Sequence, residues 1–75
     1  MYRKNKLEII SDVERYRKSR KLTQAELASL CDVTRQTIIA IEKGNYIPSV
    51  ALAISLAKAL ETNVEKLFML TGEQR

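Results

Sequence analysis

Four consecutive residues, Thr34, Arg35, Gln36 and Thr37, hold most of the recognition chemistry in this 75-residue chain. The guanidinium of Arg and the amide of Gln are planar groups able to form paired hydrogen bonds, Arg with the N7 and O6 acceptors of guanine and Gln with the N6 and N7 of adenine. Thr34 is read as the N-cap of a helix whose third position is Thr37, so no acid stands where a phosphate would dock on the helix start. Polar tips on an exposed helix N-terminus suit a reader of the DNA major groove.

The elements that must hold these groups are written on either side. Thr23 to Glu42, TQAELASLCDVTRQTIIAIE, reads as two capped helices joined by a very short turn, a helix-turn-helix. The first opens on Thr23 with Glu26 three residues on, a capping box in which each side chain satisfies a backbone N–H of the other, and Leu22 and Leu27 staple it. The second repeats the device with Thr34 as cap and Val33 and Ile38 as staple. Only Cys31, Asp32 and Val33 separate the two, so they must cross steeply, and Ala28 supplies the small side chain that their contact needs. Leu27, Cys31, Val33, Ile38 and Ile41 face inward at this spacing, which leaves Arg35, Gln36, Thr37, Ile39 and Ala40 toward solvent.

Three further helices are expected around this pair. Leu7 to Lys21 reads as the first, with Ile9, Val13 and Tyr16 inward and Glu14, Arg15, Arg17 and Lys18 outward. It starts either near Leu7 or at Ser11, which with Glu14 would form another capping box. Gly44 stops the recognition helix, Asn45, Tyr46, Ile47 and Pro48 form a loop, and Ser49 caps a helix over 50–60 that is apolar on nearly every side and is expected at the centre. Asn63 caps a last helix from Val64 to about Met69, whose Val64, Leu67 and Phe68 close the core. Met69 and Leu70, with whichever of Leu52 and Ile54 stays exposed, form an apolar patch read as a dimer contact, and Thr71 to Arg75 is expected to fray. The expected fold is therefore all-α: a compact five-helix domain over residues 1–75, with its core at about 10–69.

A chain this short makes one domain with a small core, for which oligomerisation is a common aid. Its formal charge is +4 with a pI near 9.5, and eight of its thirteen Lys and Arg fall within the first twenty-one residues, a cluster that favours polyanions. Acids interrupt the apolar residues of LEIISDVERYRKS, so no signal peptide, membrane span or membrane partner is read, and a cytoplasmic location is expected. The single cysteine, Cys31, sits at an inward position as a small hydrophobe, histidine is absent, and two glycines make no phosphate-cradling loop. No catalytic set, metal site or cofactor is read, and an enzyme is discounted.

The order of motifs resembles the Cro and phage-repressor-like family of regulators, the XRE family. The residues that carry it are YRKSRKLTQAELA from Tyr16, VTRQTI from Val33, IEKG from Ile41, PSV from Pro48, AKAL from Ala57 and NVEKLF from Asn63. The resemblance implies a phage repressor-like fold in which the recognition helix, about 35–43, enters the major groove of double-stranded DNA. It implies that Arg35, Gln36 and Ala40 point at base edges, with Ile39 near a thymine methyl at most, while Thr23, Gln24, Thr37 and Lys43 meet phosphates. Thr34 and Asn45, which bound the helix, belong to the same DNA-binding set. It further implies an ion pair between Arg17 and Glu42 that ties the first helix to the recognition helix and sets Arg17 near the DNA backbone. Many members place glycine at the ends of the first, second and fourth helices, where this chain has Lys21, Asp32 and Glu61, so either those turns differ or they hold mild strain.

The function expected on these grounds is a transcriptional regulator acting as a homodimer on a palindromic operator, with Phe68, Met69 and Leu70 at the dimer interface and no small-molecule effector. The competing expectation is a protein-interaction module, such as an antitoxin, that holds a partner through the same C-terminal apolar patch.

Overall fold

Where it is described, the chain starts as a strand and not as the helix that the spacing of Ile9, Val13 and Tyr16 predicts. The computed structural model describes residues 8–71; the expectations for the basic Arg3, Lys4 and Lys6, for a start near Leu7 and for the tail beyond Thr71 lie outside them. Strand β1 (Glu8–Ser11) pairs antiparallel with β2 (Phe68–Thr71), with Ile9 opposite Leu70 and Ile10 opposite Met69. The Asp12 N–H donates to the Leu67 carbonyl at 2.8 Å and carries the ladder one step further. Between the strands lie α1 (Val13–Ser19), α2 (Gln24–Leu30), α3 (Arg35–Glu42), α4 (Val50–Ala59) and α5 (Val64–Leu67).

The all-α expectation is thus corrected: five helices stand in the expected order, the first shortened to Val13–Ser19, and a two-stranded sheet joins the two ends of the described chain. The last helix stops at Leu67, and Phe68, Met69 and Leu70 are extended. Four-residue strands are too short for alternation to announce them, and pairing across most of the chain's length leaves no local signal. At the start of α1, Asp12 occupies the cap position without a side-chain cap bond, its carboxylate instead holding Arg15. Ser11 and Glu14 therefore form no capping box; the Ser11 hydroxyl accepts from the Val13 N–H at 3.4 Å and Glu14 pairs with Lys18 at 2.8 Å.

The other four N-caps work through local chemistry. Thr23, Thr34, Ser49 and Asn63 each accept a hydrogen bond from the backbone N–H three residues on, and Thr23 completes the box with Glu26. Helix ends obey a second rule. After α1, α2, α3 and α4, two reversed N–H bonds close the last turn, as in Gly44 to the Ile41 carbonyl at 3.0 Å and Asn45 to the Ala40 carbonyl at 2.9 Å. The residue making the first of each pair is left-handed: Lys21 at φ 60°, Asp32 at 59°, Gly44 at 79° and Glu61 at 57°. The turns that lack glycine therefore keep the same geometry and hold backbone strain.

Lys21→Gly should relieve that strain. A left-handed L-residue costs about 1–2 kcal/mol, and glycine gives back about 0.4–1 through its freer unfolded chain. The expected gain of about 0.5–1 kcal/mol raises Tm by roughly 2–8 °C, measurable by thermal unfolding.

The core gathers Val13 from α1, Leu27, Ala28 and Cys31 around α2, Ile38 and Ile41 from α3, Leu56, Ala57 and Leu60 around α4, and Leu67 from α5. Ala28, buried, supports the expected α2–α3 crossing, and Leu22 and Val33 pack on the core as staples. The expectation that the fourth helix is central holds on one face only. Ala53, Leu56 and Ala57 are buried, but Val50 and Ile54 stand in solvent.

Candidate nucleic-acid interface

Helix α3 begins where the extended Thr34 turns its hydroxyl onto the Thr37 N–H at 3.3 Å, with the two threonine hydroxyl oxygens 3.1 Å apart. Its first turn holds no acid, so no carboxylate offsets the partial positive charge of the helix start. Arg35 and Gln36 are exposed there, whereas Thr37, Ile39 and Ala40 are half-buried and Ile38 and Ile41 wholly buried. The helix thus presents its two planar hydrogen-bonding side chains, turns Ile38 and Ile41 into the core, and leaves Thr37, Ile39 and Ala40, expected toward solvent, only partly exposed.

A buried ion pair fixes α3 from behind. Arg17 Nε donates to Glu42 Oε2 at 2.6 Å, Nη2 to Oε1 at 3.2 Å, and Nη1 to the Leu22 carbonyl at 2.8 Å. Gln24 Nε2 adds a donor to Glu42 Oε1 at 3.1 Å, so α1, the start of α2 and the last turn of α3 meet on one carboxylate. The side chains of Arg17 and Glu42 are 9% and 4% exposed. The hydrogen bond that the Arg17 guanidinium donates to Glu42 raises its pKa above the ordinary value, against burial, which lowers it.

The outward position that helical spacing gives Arg17 is thereby corrected. Spacing sends charged side chains to solvent, but a carboxylate twenty-five residues away accepts this one inside. All three guanidinium nitrogens donate within the fold, so Arg17 ties α1 and the start of α2 to the last turn of α3.

Beside the start of α3, Arg17, Thr23, Gln24 and Arg35 line one shallow open cleft together with Lys18 and Lys21. The two lysines were absent from the expected site; their membership of the basic run Arg15 to Lys21 was the available signal. Lys43 and Asn45 lie at the opposite end of α3, exposed, Lys43 as its C-cap. Phe68, Met69 and Leu70 belong to β2, apart from this cleft. Among the described residues no group of three or more Cys, Asp or Glu could hold a metal ion, and no helix is long and apolar enough to cross a membrane.

Comparisons with known proteins agree on one family. The family model described as helix-turn-helix (HTH_3) matches residues 13–67. A relative from Methanothermobacter thermautotrophicus, described as an uncharacterized HTH-type transcriptional regulator, is 51% identical over 59 residues, which cover 77% of this chain and 86% of that protein. Among solved structures, the restriction-modification controller protein C.AhdI of Aeromonas hydrophila superposes with a TM-score of 0.68 at 26% identity, over 72% of this chain and 82% of its own. The clp gene regulator ClgR of Corynebacterium glutamicum also gives 0.68 at 26% identity over 72% of this chain, which spans 57% of that protein.

Proposed function

Because the chain belongs to the helix-turn-helix family of XRE regulators, we propose that it is a transcriptional regulator that binds double-stranded DNA sequence-specifically, with α3 in the major groove. One observation carries the reading: Arg35 and Gln36 stand exposed at an acid-free helix start whose far end is anchored by a buried ion pair. In this reading Arg35, Gln36 and Ala40 meet base edges, and Ile39 excludes the wrong base. Thr23, Gln24, Thr34, Thr37, Lys43 and Asn45 meet the phosphate backbone. The protein works in the cytoplasm as a homodimer on a palindromic operator whose half-sites lie ~34 Å apart, one for each recognition helix. Phe68, Met69 and Leu70 supply apolar surface for the dimer, and control runs through its amount or its assembly and not through a small-molecule effector.

Selection of bound duplexes from a random pool, followed by binding measurements over a range of salt, tests this. A palindromic consensus and a steep fall of affinity with salt are expected, each neutralised phosphate contributing a slope of about 0.9 in log–log terms. Lys43→Ala should weaken every duplex alike and flatten that slope by about one contact. A pool from which no consensus emerges would remove the sequence-specific role.

A further inference from the structure

Three helix ends hold a side chain in the left-handed region where glycine would relax the backbone, and the three differ in what offsets the strain. Asp32 is of a residue type that tolerates this conformation better than most. Glu61 pairs with Arg20 and so joins the turn after α4 to the end of α1. Lys21, at φ 60°, has no ion-pair partner among the described residues. Its exposed side chain lines the shallow cleft beside the start of α3. Of the four cations in that cleft, Arg17 is engaged by Glu42 and the Leu22 carbonyl, and Lys18 by Glu14, which lines the same cleft. Lys21 and Arg35 are the two with no acid partner among the described residues.

The turn that bears Lys21 is also fixed to the recognition helix. The Lys21 N–H donates to the Lys18 carbonyl at 2.9 Å and the Leu22 N–H to the Arg17 carbonyl at 3.2 Å, while the Leu22 carbonyl accepts from Arg17 Nη1 at 2.8 Å. The same guanidinium grips Glu42 in the last turn of α3, so the base of the Lys21 side chain keeps a set place relative to that helix. Its flexible stem and compact ammonium suit a point contact with a phosphate. Strain that nothing inside the chain offsets marks a residue held for what it meets outside. We propose that Lys21 is a contact to the DNA backbone, kept in a left-handed conformation at the expense of the fold. The proposal rests on the DNA-binding reading and adds to it a residue at a position whose backbone favours glycine. Stability and binding are opposed there: the glycine that relaxes the turn removes the contact.

Binding of Lys21→Gly and Lys21→Asn to the selected duplex and to an unrelated one, over a range of salt, tests this. Glycine removes strain and charge together, while asparagine removes the charge and tolerates the left-handed backbone. Both variants should bind every duplex about 3- to 10-fold more weakly at ~0.1 M salt, with a log–log slope lower by about 0.9 and a loss that fades toward ~1 M. Lys21→Gly should also melt above the wild type, and Lys21→Arg, which keeps the charge, should keep the slope. Lys58→Gln removes one positive charge from an exposed position on α4 outside the cleft and should bind within about twofold of the wild type. Lys21 variants that bind like the wild type with an unchanged slope overturn the proposal, as does a loss that Lys58→Gln reproduces in full, the mark of net charge alone. A loss confined to one sequence would make Lys21 a base reader and overturn it too, and a Lys21→Gly protein that melts no higher than the wild type overturns the opposition of stability and binding. A wild type that binds no duplex sinks the regulator reading, whereas a wild type that binds its selected site and is indifferent to Lys21 sinks this proposal alone.

Discussion

Glu42→Ala should cost about 3–5 kcal/mol of folding stability, most of what a domain of this size possesses. The reason lies in what the substitution strands. Arg17 has a side chain only 9% exposed, and two of its three guanidinium donors, with the Gln24 amide, converge on the carboxylate that would vanish. A buried guanidinium left with the Leu22 carbonyl alone cannot recover its lost hydration. The exposed pair of Lys18 with Glu14 is the internal control: Lys18→Ala should change stability by less than about 1 kcal/mol. A second control separates charge from packing. The double variant Arg17→Met with Glu42→Leu replaces the pair with apolar volume and should recover most of the loss. Urea unfolding with a constant m-value reads all three variants, and a Glu42→Ala protein as stable as the wild type would show that the pair is not what anchors α3.

The devices that the sequence spells out locally are the ones that could be read from it. Thr23, Thr34, Ser49 and Asn63 cap helices because a short polar side chain reaches a backbone N–H three residues on, a matter settled within one turn. Lys21, Asp32 and Glu61 stood out as departures from glycine, and the hydrogen bonds now show that the left-handed turn persists and the side chain bears the strain. What escaped reading depends on contacts made at a distance. Ile9 and Ile10 fit a helical period as well as a strand, and only Met69 and Leu70, at the other end of the chain, decide between them. The period of α1 alone sends Arg17 outward because its acceptor lies two helices away, and only the family resemblance supplied the pairing with Glu42 that the structure shows. The fourth helix looked central because its composition is apolar all round, yet Val50 and Ile54 face solvent, and this mismatch marks a surface that the single chain leaves unfilled.

Gln36→Ala is expected to lower affinity for the preferred duplex about 5- to 150-fold, the equivalent of ~1–3 kcal/mol, with almost no change for unrelated sequences. An amide that pairs with a base edge discriminates among bases, while the phosphates it does not touch still supply the sequence-independent attraction. The slope of log affinity against log salt should therefore stay at the wild-type value, in contrast to Lys43→Ala, which should lower the slope and spare the preference. Folding should be untouched or slightly improved, because Gln36 is exposed on α3 and alanine is the better helix former. That separation gives the measurement its force. A loss shared equally by every duplex would assign Gln36 to the backbone and leave α3 without its reader of adenine. A loss confined to one base pair in each half-site would identify where along the groove the start of α3 lies.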